Sequence, residues 1–349
     1  MPADALRAAL RQLTFGESLT SEAAHAAFDS VMRGEASVAQ IAALLIALRV
    51  KGETPSEVAG AARALRAAMI PLPAARPDEL VDTCGTGGGK VSTFNISTAA
   101  ALLAAGAGVR VAKHGNRSFT SSSGSADVLE ALGVAIEAPV PVMQRALEEA
   151  GIVFMFAPLM HPAMRHVGPV RRELAVPTVM NIVGPLANPA SAGRQVVGVA
   201  EPGRMPLIAG ALAELGTEHA RVVHGAPGLD EISPLGPTQV IEVRGGELRE
   251  WVIDARQYVT RLPSAEELAG GDPAANARTI LSVLAGGGPP GAEDAVVLNA
   301  AAALYVGGQV PNYGAGIEES RSALRAGKGI EALERLRRAT GLPPGGPAS

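Results

Sequence analysis

At about residue 79 the chain changes character, and that change limits its possible folds more than any other feature. The first 70 residues carry repeated helix-start signals and no convincing strand. Ser37 with Gln40 has capping-box spacing, as does Thr54 with Glu57, where Pro55 sits at the favoured first helical position. Apolar residues recur at helical spacing from Ile41 to Leu48 and from Val58 to Met69, which predicts three or four short helices ending at Pro71-Leu72-Pro73. After Glu79, short apolar runs alternate with helical stretches. Strands are expected at Leu80–Val81, Val109–Ala112, 134–136 (Val-Ala-Ile), 152–156, 195–199 and Ala220–Val223, with helices near 96–105, 125–132, 141–149 and 204–215. Such alternation predicts an α/β fold with a mostly parallel sheet, whose ligands sit at the carboxyl ends of the strands. Residues 238–253 read as a hairpin, 273–340 as helices covering the sheet, and the final GLPPGGPAS as a disordered tail.

Composition narrows the function class. One cysteine, Cys84, excludes a disulfide framework and fits a reducing, cytoplasmic setting. A net charge of −4 gives no global basic field for nucleic acid or an anionic membrane. The longest apolar run, Ile96 to Val109, is too short to cross a bilayer, and the N-terminus lacks the order of a secretion signal.

Four segments carry chemistry. In Asp82-Thr-Cys-Gly-Thr-Gly-Gly-Gly-Lys90, leading to Thr93-Phe-Asn-Ile-Ser-Thr98, four glycines in five positions let backbone amides approach an anion ahead of a helix N-terminus. The pattern is neither GxxxxGK[ST] nor GxGxxG, which disfavours a nucleotide triphosphatase or a dehydrogenase. Lys113-His-Gly-Asn-Arg117 and the following Ser118 to Asp127 read as a second phosphate cradle on the same rim. The chain has only four lysines against 26 arginines, and Lys90 and Lys113 both fall in these loops. Asp127 also suits an early helical turn. His161 to Arg172, continuing to Asn181-Ile-Val-Gly-Pro-Leu-Ala-Asn-Pro189, holds two arginines expected to open a helix; either solvent exposure or carboxylate binding suits Arg171. His161 and His166 lack zinc-ligand spacing. Asp230-Glu231, after a strand, reads as a surface turn or as hard-oxygen ligands for Mg²⁺.

In this order, the four segments resemble the anthranilate phosphoribosyltransferases of tryptophan biosynthesis, over nearly the whole chain. The resemblance implies a nucleoside phosphorylase/phosphoribosyltransferase-like fold. A helical domain over 1–72, with about 165–190 packed against it, would sit beside an α/β domain over 76–341, ahead of a 342–349 tail. It implies a homodimer formed through the helical domain, and transfer of a phosphoribosyl group from 5-phosphoribosyl 1-pyrophosphate to the amine of anthranilate. Matched by position, Gly85, Gly88, Gly89, Thr93, Asn95, Ile96, Ser97, Thr98, Lys113, His114, Gly115, Asn116, Arg117, Ser118, Phe119, Thr120, Ser121 and Ser125 would hold the phosphoribosyl pyrophosphate. Ser97, Asp230 and Glu231 would serve Mg²⁺, while Gly85, His114, Asn116, His161 and Arg171 would line the anthranilate side, Arg171 reading the carboxylate. No covalent catalytic residue is implied. Two positions depart from the pattern: Gly89, followed by Lys90, stands where many members carry Asp, and Pro177 stands where an arginine is common. Two rival readings remain open. A pyrimidine nucleoside phosphorylase would lack NIST and KHGNR, and a non-catalytic nucleic-acid binder would show a basic groove and eroded anion loops.

Overall fold

The computed structural model describes residues 2–89, 91–118 and 122–341. Four helices come first: α1 (Pro2–Thr14), α2 (Ser21–Met32), α3 (Val38–Lys51) and α4 (Pro55–Ala67). Both expected capping boxes form, at Ser37–Gln40 and Thr54–Glu57. Glu57 also staples the unit together. It is completely buried and accepts hydrogen bonds from the Leu19 amide (2.9 Å), the Thr54 amide (2.8 Å) and Lys51 Nζ (3.0 Å). A buried carboxylate needs every one of those partners to offset its lost hydration.

The sheet is built from β1 (Val81–Gly85), β2 (Val111–Gly115), β3 (Ile152–Phe156), β4 (Arg194–Gly198), β5 (His219–Gly225), β6 (Thr238–Arg244) and β7 (Glu247–Ile253), in the order β3-β2-β1-β4-β5-β6-β7. Strands β3 to β5 pair in parallel, and β6 and β7 add an antiparallel hairpin. Connections from β1 lead outward to β2 and β3 on one side, and β4 and β5 lie on the other. The order therefore reverses between β1 and β4, where a crevice opens beyond the strand ends.

Helices α5 (Ile96–Gly106), α6 (Ser125–Ala131), α7 (Val140–Glu149), α8 (Ala157–Met160), α9 (Gly168–Leu174) and α10 (Met205–Glu214) alternate with the strands, and α11 (Pro273–Leu284), α12 (Pro290–Val306), α13 (Tyr313–Arg325) and α14 (Lys328–Thr340) follow the hairpin. Strand alternation divides the interior into two cores. Val196 and Val223 join α5 and α12 on one face; Val197 and Val222 join α10 and the four N-terminal helices on the other. The second core also includes Val167, Val170, Val179, Ile182 and Leu186, so this connecting segment packs with the N-terminal helices. Covering both faces explains why the central strands read as continuous apolar runs.

Three sequence expectations are corrected. Val134 to Ile136 form no strand: Gly133 turns the chain after α6 at φ +77, and Val134 and Ile136 plug the core without a pairing partner. Strand β2 begins two residues later than expected and reaches Gly115, which makes Lys113 and His114 strand residues. Arg171 and Arg172 lie in the last turn of α9, where cations complement the helix dipole, and do not open it. Among the described residues, no helix is long and apolar enough to cross a membrane.

Candidate active site

The crevice between β1 and β4 is filled by the loop carrying Asp230 and Glu231. Gly85 and Gly198 are register partners at the ends of these strands. A Cβ at Gly198 would lie 1.6 Å from the Asp230 carbonyl oxygen, and one at Gly85 would lie 2.6 Å from Asp230 Oδ2. Paired glycines thus let a carboxylate loop descend onto the sheet. Asn299 on α12 holds that loop from behind: its Oδ1 accepts from the Ile232 amide at 3.0 Å and its Nδ2 donates to the Ile232 carbonyl at 2.9 Å. The space enclosed by Thr83, Cys84, Ser97, Asp230 and Glu231 is only about 10 Å³, so the carboxylates pack directly on the strand ends.

The glycine loop and the start of α5 meet these acids. Gly87 and Gly88 adopt positive φ (+68 and +81) with open space where a side chain would stand. Asp230 Oδ2 accepts from the Gly87 amide at 2.9 Å. Glu231 Oε1 accepts from the Ser97 amide at 2.9 Å, and Oε2 from Thr93 Oγ1 at 3.3 Å. The helix end expected to receive phosphate therefore already holds, in part, the chain's own carboxylate. Burial, followed by the neighbouring Asp230 charge, pushes Glu231 up to about 8, and burial also raises Asp230. At Gly89 a Cβ would stand 3.1 Å from Asp230 Oδ1, so the departure from Asp lies directly beside this pair. Ile96 is buried, and the Thr98 hydroxyl is buried without a partner among the described residues. Asn95 takes the left-handed conformation (φ 64). It binds Asn276 Nδ2 through Oδ1 and the Ser123 carbonyl through Nδ2, both at 2.9 Å, joining α5, the second loop and α11.

The second cradle is braced from below by Asp127, whose carboxylate accepts from the amides of Ser118 (3.1 Å) and Gly124 (2.9 Å). Arg117 pairs with Asp127 and Glu130 at 2.9 Å each, so here it clamps the loop. The Asn116 carbonyl accepts from Ser125 Oγ at 3.4 Å, and a Cβ at Gly115 would strike that same hydroxyl. Lys113 is 2% exposed; its Nζ donates to the Thr83 carbonyl and, at 3.4 Å, to Thr83 Oγ1, beneath the acids instead of at the rim. Lys90, Phe119, Thr120, Ser121 and the 342–349 tail lie outside the described residues.

His114 and His161 are both buried, with ring centroids 4.9 Å apart. Burial, with a smaller push from the neighbouring ring, lowers His114 to about 3; burial lowers His161 to about 4. Both are neutral at pH 7, yet His114 Nε2 and both ring nitrogens of His161 lack partners among the described residues. Arg171 is half-buried, and burial alone acts on its guanidinium, pulling it below the usual arginine range. His166 contributes nothing here; its Nε2 meets the neighbouring Arg165 Nε at 3.3 Å.

Sequence spacing gave no warning of the floor of this site. Asp82 is fully buried, accepting from the His114 amide at 3.1 Å and from Asn188 Nδ2 at 2.8 Å, while Asn188 also donates to the Ala112 carbonyl. Burial pushes Asp82 up to about 6, although Lys113 pulls it back. Asp82 and Asn188 stand 106 residues apart and meet only through β1, β2 and the GPLANP segment.

Residues 77–330 match the glycosyl transferase family a/b domain, and residues 7–69 its helical bundle domain. The anthranilate phosphoribosyltransferase of Rubrobacter xylanophilus is 50% identical over 331 residues, covering 95% of this chain and 96% of that protein. That of Roseiflexus castenholzii is 48% identical over 332 residues, covering 95% and 97%. Among solved structures, the Thermus thermophilus anthranilate phosphoribosyltransferase superposes with a TM-score of 0.89 at 42% identity, over 95% of this chain and 99% of that one. The Saccharomyces cerevisiae enzyme in complex with PRPP and Mg gives 0.85 at 26% identity, over 96% and 97%. A second yeast structure, in complex with 4-fluoroanthranilate, gives 0.85 at 25% identity, over 97% and 98%. Its helical bundle, its α/β domain and its identity over nearly full length place the chain in the anthranilate phosphoribosyltransferase family.

Proposed function

We propose that the chain transfers the phosphoribosyl group of 5-phosphoribosyl 1-pyrophosphate to the amine of anthranilate, releasing pyrophosphate, in tryptophan biosynthesis. The observation that carries the reading is one crevice. Two glycine-rich anion loops, a helix N-terminus and a buried pair of acids converge there, with two neutral histidines on the β2 side.

In the reaction the bond from ribose C1 to the pyrophosphate oxygen breaks, the anthranilate nitrogen bonds to C1, and that nitrogen then loses a proton. The open, side-chain-free approach at Gly87 and Gly88 and the positive end of the α5 dipole suit the charge that gathers on the leaving oxygens. An aromatic amine is neutral at pH 7 and attacks an electron-poor C1 without a strong base. The lowered His114 and His161 accordingly serve as hydrogen-bonding walls that orient the acceptor. Arg171 would read the anthranilate carboxylate as a bidentate donor.

Magnesium fits the acids. Asp230 and Glu231 are adjacent hard-oxygen donors, and neither forms an ion pair with Lys or Arg among the described residues. Two adjacent carboxyl groups whose burial holds them above the usual carboxylate range suit a divalent cation, which would favour their ionised forms and keep water and phosphate oxygens as further ligands. Asp230, Glu231 and the Ser97 hydroxyl would hold it, and when bound it would neutralise the diphosphate leaving group.

Loss of anthranilate fluorescence on mixing with phosphoribosyl pyrophosphate over a Mg²⁺ series tests the reading. Decay requiring all three components is expected. Decay without Mg²⁺ would remove the metal, and binding of phosphoribosyl pyrophosphate with no decay would send the search to another amine acceptor.

A further inference from the structure

A cavity of about 630 Å³ lies away from this crevice, on the β5–β6–β7 face beneath the start of α13. Arg221 and Glu242 are cross-strand partners, as are Glu242 and Arg249, and strand alternation puts Arg221, Glu242, Arg249 and Trp251 on one face. Arg221 lines the cavity and is only 2% exposed. Its guanidinium carbon stands 4.2 Å from the Tyr305 ring centroid, 4.6 Å from Trp251 and 5.0 Å from Tyr313.

The aromatic box leaves that cation short of acceptors. Tyr305 interacts with the guanidinium, but among the described residues Arg221 Nε and Nη1 have no hydrogen-bond partner, and neither has the buried Nε1 of Trp251. Glu242 makes only a long ion pair with Arg221, 3.9 Å from Nε, and is shared with His219 Nε2 at 2.6 Å. Asn312 and Gly314, at the N-terminal end of the 13-residue α13, also line the cavity and bring its positive dipole end to bear. Glu250 stands at the exposed rim, as does Arg249, which pairs with Glu247 at 3.4 Å. Cation–π contact attenuates a buried guanidinium's need for an anion without removing it.

We propose that this cavity is a second ligand site, separate from the phosphoribosyl crevice, for a small planar carboxylate. Its carboxylate pairs with Arg221 and Trp251 Nε1, and its flat body lies against the Tyr258 and Trp251 walls. A compact oxyanion such as phosphate would leave those aromatic walls unused, which is why the planar class is favoured.

Trp251 is the chain's only tryptophan, so its fluorescence reports on this cavity alone. Benzoate titrated into the full-length protein should change that emission saturably, in wild type and equally in Arg171→Ala. Two variants test the location. Arg221→Gln removes the cation, and Gly314→Leu fills the cavity from a position where a Cβ makes only ordinary contact, 3.4 Å from Asn312 Oδ1. Each should weaken the apparent affinity at least about tenfold, the weight of one charge-assisted hydrogen bond. If Arg221→Gln does not fold, Gly314→Leu decides. A saturable response to phosphate but not benzoate, no saturable change in wild type, or an unaltered titration in Gly314→Leu would each overturn the proposal. None of these outcomes bears on phosphoribosyl transfer, which the anthranilate assay reads separately.

Discussion

Gly198 is the residue on which the crevice geometry turns most sharply. Its missing Cβ is what allows the Asp230 backbone to lie on the strand end, so Gly198→Ala must push the whole acidic loop away. We expect destabilisation of at least about 2 kcal/mol by denaturant unfolding, together with near-complete loss of transfer. Gly203→Ala, where nothing lies within 4 Å, should leave both unchanged. Arg171 is a cleaner functional probe because burial acts on it without an ion-pair partner among the described residues. Arg171→Ala should raise the anthranilate KM about tenfold or more while leaving the phosphoribosyl pyrophosphate KM nearly constant. Equal weakening of both substrates would remove its role as carboxylate reader. At this scale the sequence was informative about glycines and acids, whose type implies their chemistry. It was silent about Asp82 and Asn188, because a buried hydrogen bond across 106 residues has no local signature.

Among the elements, the second anion loop draws three of its anchoring contacts from one side chain. Asp127 caps α6 through the Gly124 amide, holds the Ser118 amide and anchors Arg117. Asp127→Ala should cost about 1–2 kcal/mol in stability and raise the phosphoribosyl pyrophosphate KM with little change for anthranilate. Asp127→Asn, which keeps one acceptor, should fall between; an unaltered KM in the alanine variant would separate the loop from substrate binding. Capping boxes and the β/α alternation were legible because they depend on neighbours in sequence. The Val134–Ile136 run forms no strand because an apolar triplet states only that it is buried; whether it pairs depends on an available strand edge.

For the whole molecule, the buried histidines make stability depend on pH. Their folded values, about 4 for His161 and about 3 for His114, lie below the ordinary 6.5, so the unfolded chain binds more protons between those limits. Their contribution is complete above pH 6.5 and is lost as pH falls, toward 4 for His161 and toward 3 for His114. By pH 5, His161 alone should account for about 2 kcal/mol of lost stability. Thermal melts should therefore show a steeper fall from pH 7 to 5 in wild type than in His161→Gln; parallel profiles would contradict this. Phe15 and Val50, each 82% exposed, and Val38, 59% exposed, lie in the N-terminal helical unit, where the family resemblance implies a homodimer contact. Sedimentation should give a dimer that Phe15→Glu with Val50→Glu converts to monomer, while a wild-type monomer would refute the assembly. Local chemistry in the sequence determined where helices begin, which loops can approach an anion and which residue types are available for catalysis, because capping, glycine freedom and periodicity act over a few residues. Tertiary structure alone decided that Lys113 is buried beneath the acids, that Glu231 reaches the start of α5 and that Arg221 is enclosed by aromatic rings. Those outcomes depend on burial and on contacts between distant segments, which exist only once both cores have closed.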